Sequence, residues 1–164
     1  ILGSLLPDLP IFLFYFVEKV LLGTPEREIW RVAYYQPGWQ NFIDIFNSLP
    51  LMLLGLGITY WGRSPWGMLL FASMIGHVLG DLPLHHDDGH RHFFPFSDWR
   101  FESPVSYWDP NHHGMAFTRL EIVTVILSSV ILFLSYQTIA GKALIALVGL
   151  SYLVYFGYVL VVWL

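Results

Sequence analysis

The sequence predicts an all-α integral membrane protein with about four transmembrane helices, a partial or interfacial N-terminal helix and one long structured polar loop. Three observations predict it. Hydrophobic residues make up 55% of the 164 and charged residues only 12%, about half the charge that coats a soluble domain. Four stretches approach the roughly 20 apolar residues that a spanning helix needs. The histidines and many of the carboxylates are gathered into one segment between two of those stretches. A mean hydropathy of +0.57 agrees. This composition excludes a disordered chain and most water-soluble enzymes. A net charge of −4 with no basic patch argues against nucleic acid as a partner. With no cysteine there is no disulfide, thiolate metal site or thiol nucleophile. The chain opens on Ile1 rather than Met, so it is read as a single, N-terminally truncated membrane domain over 1–164.

In chain order, residues 11–22 form a short apolar stretch that follows Pro7 and Pro10 and contains Glu18 and Lys19. They read as an interfacial or half-spanning helix. Residues 42–60 are apolar after a polar start at Asn41, Asp44 and Asn47, and give the first full span. Residues 66–82 give the second, interrupted by Ser73, His77 and Asp81, and residues 120–136 and 143–164 give the last two. Trp39, Trp61, Trp66 and Trp163 stand where an interfacial belt would place them. Residues 23–40 and 83–119 then fall on one side, and 61–65 and 137–142 on the other. With Lys19, the first side carries Arg27, Arg31, Arg91, Arg100 and Arg119, against Arg63 and Lys142 on the second. Positive-inside bias puts the long loop in the cytoplasm.

All seven histidines lie between His77 and His113, where an even spread would put fewer than two. A membrane fold does not require this. His77 and Asp81 are one helical turn apart on one face, and an imidazole with a carboxylate is half a divalent-metal site. The run His85, His86, Asp87, Asp88, Gly89, His90, Arg91, His92 follows at once, and its Asp-Gly turn can fold the donors back toward the helix end. The candidate ligands are His77, Asp81, His85, His86, His90 and His92. The ion expected is zinc first, with iron or manganese as alternatives. Asp87 or Asp88 is the candidate general base. Asp8 is a carboxylate in an apolar run, costly in a membrane and so a further candidate ligand if residues 11–22 lie in the interface. Asp44 and Glu121 read as carboxylates near helix starts, there to cap or to meet the dipole. His112 and His113 are weaker, late donors.

The 83–119 loop is too long for a connector and too aromatic for a solvated tail. Phe93, Phe94, Phe96, Trp99, Phe101, Tyr107 and Trp108 either pack it onto the bilayer surface or line a pocket for a hydrophobic substrate. Arg91 and Arg100 either pair with Asp98, Glu102 and Asp109 or meet an anionic headgroup. Arg91, Arg100, Trp99 and Trp108 are thus the candidate substrate-binding residues.

The residues from Gly3 to Asp8, and those from Ser73 to Asp81 with the Pro-Phe and Arg-Phe stretch beyond them, resemble the membrane-bound metal-dependent hydrolase family. The nearer likeness is to a bacterial, notably cyanobacterial, subgroup. Its loop matches Asp81-Leu82-Pro83, His85, Asp87-Asp88, His90-Arg91-His92-Phe93-Phe94-Pro95, Arg100-Phe101 and the run from Ser103 to Pro110. The resemblance implies a metal site at Asp8, His77 and Asp81. It also implies a bacterial inner membrane, or a cyanobacterial plasma or thylakoid membrane. Family members usually carry a further histidine upstream of the Pro-Asp pair, and many have an acid two residues after its aspartate. This chain has Pro10 there, which leaves a second metal in question.

These readings converge on a metal-dependent hydrolase of a lipid-like or amphiphilic ester or phosphoester, with the bilayer and that substrate as partners. A metal would lower the pKa of bound water and polarise the scissile bond. The competing class is a non-enzymatic subunit working with other membrane subunits, its histidines structural or ligating a pigment or haem. A divalent-metal transporter fits less well, because the last two spans carry almost no polar residues beyond Ser128, Ser129 and Ser151.

Overall fold

A computed structural model describes residues 2–107 and 109–163, with the side chains of the last helix as far as residue 157. Trp108, a candidate substrate contact, and the Trp163 side chain lie outside the described residues. The fold is all-helical, and no strand occurs among the described residues. It divides into two compact units, Ile1–Val105 and Ser106–Leu164.

The first unit begins with α1 (Leu2–Leu5) and α2 (Leu9–Phe16), which is prolonged by a π turn, Val17–Leu21. Residues 11–22 therefore belong to a helix of two turns and a π extension, short of a full span. Next come α3 (Glu26–Glu28) and a second π turn, Ile29–Ala33, so the 23–40 connection is partly helical. It is not a plain linker because it supplies core: Ile29, Ala33 and Tyr34 bury with Phe14 and Ile43. Phe14 is the hub, its ring 5.9, 5.8 and 5.2 Å from those of Trp30, Tyr34 and Trp39. Glu18 is buried beneath, accepting from the Trp39 indole at 2.9 Å and the Thr24 hydroxyl at 2.8 Å.

The stretch expected as one continuous span is two helices, α4 (Pro37–Asn47) and α5 (Leu49–Trp61), bent by 43°. The break has a local cause. Ser48 is extended, its hydroxyl accepts from Leu51 N–H as the cap of α5, and Pro50 follows inside the first turn. A turn with Ser64 capping leads into α6 (Pro65–Asp81), which a 3-10 turn, Leu82–Leu84, closes at Pro83. Helices α5 and α6 pack around Met52, Met74 and Val78. Helix α1 lies on α6 so closely that a Cβ at Gly3 would overlap the Leu70 carbonyl and Ser73. That contact brings Asp8 to α6.

In the second unit, a 3-10 turn at Pro110–His112 leads into α7 (Gly114–Ser135), which packs on α8 (Ile139–Trp163). Helix α7 starts before residue 120, so the loop is shorter than 83–119. The Asp109 side chain caps Asn111 N–H, His113 takes the left-handed conformation (φ 65°), and a Cβ at Gly114 would strike the Asp109 backbone. Glu121 is two turns into α7, and its carboxylate accepts from the Tyr152 hydroxyl of α8 at 2.8 Å. It binds a helix partner and caps nothing.

By length and composition, three helices among the described residues can cross a membrane: Pro65–Leu84, Gly114–Ser135 and Ile139–Gly157. The bent α4–α5 pair makes a fourth if it counts as one span.

Candidate functional site

The last turns of α6 carry His77 and Asp81, and each meets a different partner. His77 Nε2 lies 3.4 Å from Asp8 Oδ1, and the Ser4 backbone is also in reach of the ring. Asp8 thus lies at the same end of α6 as His77. Asp81 Oδ2 meets His85 Nε2 at 2.8 Å, and the other ring nitrogen, Nδ1, faces Asp88 Oδ1 at 2.9 Å. The His90 ring lies 5.8 Å from that of His85 and 6.2 Å from that of His92. His90 Nδ1 is 3.7 Å from Asp44 Oδ1. Asp8, His77, Asp81, His85, Asp88, His90, His92 and Asp44 thus form a string of imidazoles and carboxylates beside the end of α6.

Main-chain bonds fix the turn that carries these histidines. Ser103 N–H donates to the His85 carbonyl at 2.9 Å, the Ser103 hydroxyl donates to the Pro83 carbonyl, and Arg100 donates to the Gly89 carbonyl. Gly89 passes so close to Phe101 that a Cβ would sit 2.9 Å from its carbonyl oxygen. His86 turns its Nδ1 to the Ser103 carbonyl at 2.6 Å, and Asp87 is exposed.

Helix α4 supplies a dock for the loop. Gln40, Asp44 and Asn47 share a buried face at helical spacing. Gln40 accepts from Arg100 at 2.7 Å and Asn47 donates to the Pro7 carbonyl at 3.2 Å. Asp44 is fully buried and takes both the Nε and the main-chain N–H of Arg91. Arg91 reaches on to Asn41 at 2.6 Å and to Asp98 at 2.8 Å. Both guanidiniums, candidates for a headgroup, are thus engaged inside the protein. Asp44 does not cap α4; it lies late in the helix and anchors the loop. The signal that could have found it is the polar triplet Gln40, Asp44, Asn47 on one stripe of an otherwise apolar segment. Trp99 is half-exposed between the Phe93 and Phe101 rings, 5.7 and 6.2 Å away.

The electrostatics differ sharply along the string. Burial alone would depress the His85 imidazole. The Asp81 and Asp88 carboxylates on its two nitrogens outweigh burial and hold its pKa up at about 10. Burial, reinforced by that neighbouring cation, drives His90 down to about 4. His92 is pushed down as well, mainly by burial. A cationic imidazole thus sits beside two neutral ones. In the second unit His112 Nδ1 bonds Asp109 at 2.7 Å and holds that carboxyl low, while His113 is exposed.

Neutral imidazoles and carboxylates are the donors that zinc, iron and manganese take. His77 Nε2, His90 Nδ1 and His92 Nδ1 are buried with no hydrogen-bond partner, the condition of an atom that lacks a ligand or a water. The residues fit a metal in kind. Among the described residues, however, no three His, Asp or Glu side chains converge as a ready cage; the donors stand in pairs. Comparison with protein-family models, curated proteins and solved structures finds no match.

Proposed function

We propose that the chain is an integral membrane protein that binds a divalent metal beside the end of α6 and hydrolyses an ester or phosphoester of a lipid-like substrate. This is the activity implied by its resemblance to the membrane-bound metal-dependent hydrolases. The observation that carries the reading is the string from Asp8 to His92, in which buried imidazole nitrogens lack partners next to carboxylates. His77, Asp81, His85 and His90 would hold the ion, with Asp8 and His92 beside them. The bound metal would supply an activated water and a Lewis acid at the scissile bond. The chain's own residues do the rest. Asp81 holds the His85 proton at Nε2, a proton that must leave before that nitrogen can act as a donor. Arg91 and Arg100 hold the loop on α4, which fixes the imidazoles. Exposed Phe96 and Trp99 give the loop an apolar outer face suited to an acyl chain. The apolar helices α5 to α8 lie in the bilayer of a bacterial inner or cyanobacterial membrane. The excess of Arg and Lys on the loop side supports a cytoplasmic site.

Elemental analysis of the detergent-purified protein, with a visible spectrum, tests this directly. We expect near-stoichiometric zinc, iron or manganese that is lost in His77→Ala/Asp81→Ala, followed by esterase or phosphatase activity. A folded, metal-free, colourless wild type would refute it. A pigment or haem spectrum would turn the reading toward a subunit of a larger complex.

A further inference from the structure

Among the described residues, three helices and the bent α4–α5 pair have the length and composition to cross a membrane. Residues 11–22 alone are too short to do so. Taken with α1, however, they form one helical path. Across the gap between α1 and α2, Leu6 N–H donates to the Leu2 carbonyl at 3.1 Å and Asp8 N–H to the Leu5 carbonyl at 3.2 Å. Ile11 and Phe12 N–H then meet the Asp8 carbonyl at 3.0 and 3.3 Å, and Asp8 keeps right-handed helical angles (φ −85°, ψ −22°). Pro7 and Pro10 bring no N–H of their own. The Pro7 carbonyl, which Ile11 passes over, accepts from the Asn47 side chain of α4 at 3.2 Å. Proline is tolerated in a membrane helix on this condition, that neighbours satisfy the backbone groups it frees. From Leu2 to the end of the π turn at Leu21 the path is about 30 Å long at 1.5 Å per residue, the thickness of a hydrocarbon layer.

We propose that Leu2–Leu21 crosses the bilayer beside α6, with its outer stripe against lipid acyl chains. This rests on the membrane reading above, not on the metal, and adds a span to it. The inner stripe, Gly3, Pro7, Pro10, Phe14 and Glu18, is buried in protein. The outer stripe, Leu5, Leu9, Phe12, Leu13, Phe16 and Val20, is 47–68% exposed and has no polar member. A helix lying flat in the headgroup layer needs a polar face for water. Here the face behind the apolar stripe is already covered, so none is left. Between Leu2 and Phe16 the only charged side chain is Asp8, which turns to His77 of α6. Direction follows from α6, itself long and apolar enough to span. Gly3 abuts Leu70 and Ser73, and Asp8 meets His77, so the two helices climb in parallel. Aromatic rings mark both ends. Leu2 shares a cavity wall with Trp66, whose indole is largely exposed at the start of α6. At the other end Phe14 is ringed by Trp30, Tyr34 and Trp39. There Glu18 takes the Trp39 indole N–H, and Lys19 pairs with Glu26 at 3.1 Å. Amphipathic rings beside charged groups are the belt of a membrane–water interface. Leu2 and Glu18 stand about 24 Å apart at 1.5 Å per residue, so the two belts have the separation of the two interfaces.

The chain has no cysteine, so single cysteines can carry spin labels with no native thiol to remove. Leu5→Cys, Leu9→Cys, Phe12→Cys, Phe16→Cys and Val20→Cys all lie on exposed positions, where a label disturbs no packing. In phosphatidylcholine vesicles, power-saturation EPR compares collisions with oxygen, which concentrates in the bilayer centre, and with a water-soluble nickel chelate. The oxygen-to-nickel ratio is expected to peak near Phe12 and fall toward Leu5 and Val20. A ratio equal at all five positions would make the segment a helix lying flat in the interface and overturn the proposal. So would collisions with neither reagent, which would mean that a second copy of the chain covers the stripe. Nickel access along the whole stripe would overturn it too. Leu69→Cys and Leu79→Cys on the exposed side of α6 separate the two levels of the argument. Lipid-like ratios there with nickel access on the stripe would sink this span alone. Nickel access at both would sink the membrane reading itself.

Discussion

Replacing Arg91 by Met keeps the length of the side chain and removes its charge. What is left behind is Asp44, a carboxylate only 1% exposed, with no cation on Oδ2. The Asp98 arm of Arg91 matters little, since that carboxylate is 89% exposed and water screens it. Stacking of the guanidinium on Phe94, 4.8 Å away, adds about 1 kcal/mol at most. The dominant quantity is the charge stranded at Asp44: breaking a buried pair by removing one partner costs about 3–5 kcal/mol. Arg91→Met/Asp44→Asn removes both charges and keeps an amide oxygen for the main-chain N–H of residue 91. Its cost falls to about 1–2 kcal/mol, that of a hydrogen bond or two. Backbone hydrogen exchange over residues 89–103 reads both numbers. At about 1.4 kcal/mol per tenfold, the single variant is expected to lose about 150- to 4,000-fold in protection, or to reach full exposure first. The double variant is expected to recover most of it. Equal losses in the two would refute the argument, since the stranded carboxylate would then not be the source of the cost.

Three further outcomes follow. Phe14→Ala is expected to cost about 3–5 kcal/mol, because its ring is fully buried among Trp30, Tyr34 and Trp39; the melting curve, with indole fluorescence as the local probe, measures it. Tyr152→Phe leaves the Glu121 carboxylate without its 2.8 Å donor and should destabilise α7–α8 by about 1–3 kcal/mol; an unchanged unfolding midpoint in detergent would contradict that. In the metal-free protein the two central imidazoles should titrate in opposite directions from 6.5, His85 near pH 10 and His90 near pH 4. The stabilisation from His85 is then complete below pH 6.5 and lost as the pH rises through 10. That from neutral His90 is complete above 6.5 and lost as the pH falls through 4. NMR titration of the ring protons should place the two curves on opposite sides of 6.5.

Much of the fold is legible in the sequence because apolar run length is a direct consequence of what a helix must bury or expose. The runs at 66–82, 120–136 and 143–164 correspond to α6, α7 and α8 within a few residues. Residues 42–60 mislead because hydropathy averages over a break that only local chemistry marks: Ser48 as a cap and Pro50 inside the next turn. The start of α7 at Gly114 is hidden because Met115 to Arg119 are of mixed polarity, and a left-handed His113 launches the helix. For the site, His77 with Asp81 and the run to His92 stand out by density alone. Their pairing does not. His77 goes to Asp8, Asp81 to His85 and His90 to Asp44, partners chosen by how α1, α4 and α6 pack. The Asp44–Arg91 pair joins residues 47 apart in sequence, a separation at which a single chain gives no signal.

The break at Ser48 also bears on how the chain can be made. The hydroxyl of Ser48 donates to the Phe94 carbonyl, and Leu49 N–H donates to the His92 carbonyl. Groups that a straight helix would satisfy within itself are satisfied by a segment synthesised later, after the whole of α6. In lipid, an unsatisfied backbone group is too costly to leave waiting. On the membrane reading proposed above, the α4–α5 break is a place in the first unit whose groups wait for a later segment: Ser48 and Leu49 find these partners only once residues 92–94 have been made. Closing the break and seating the histidine loop are then the same step.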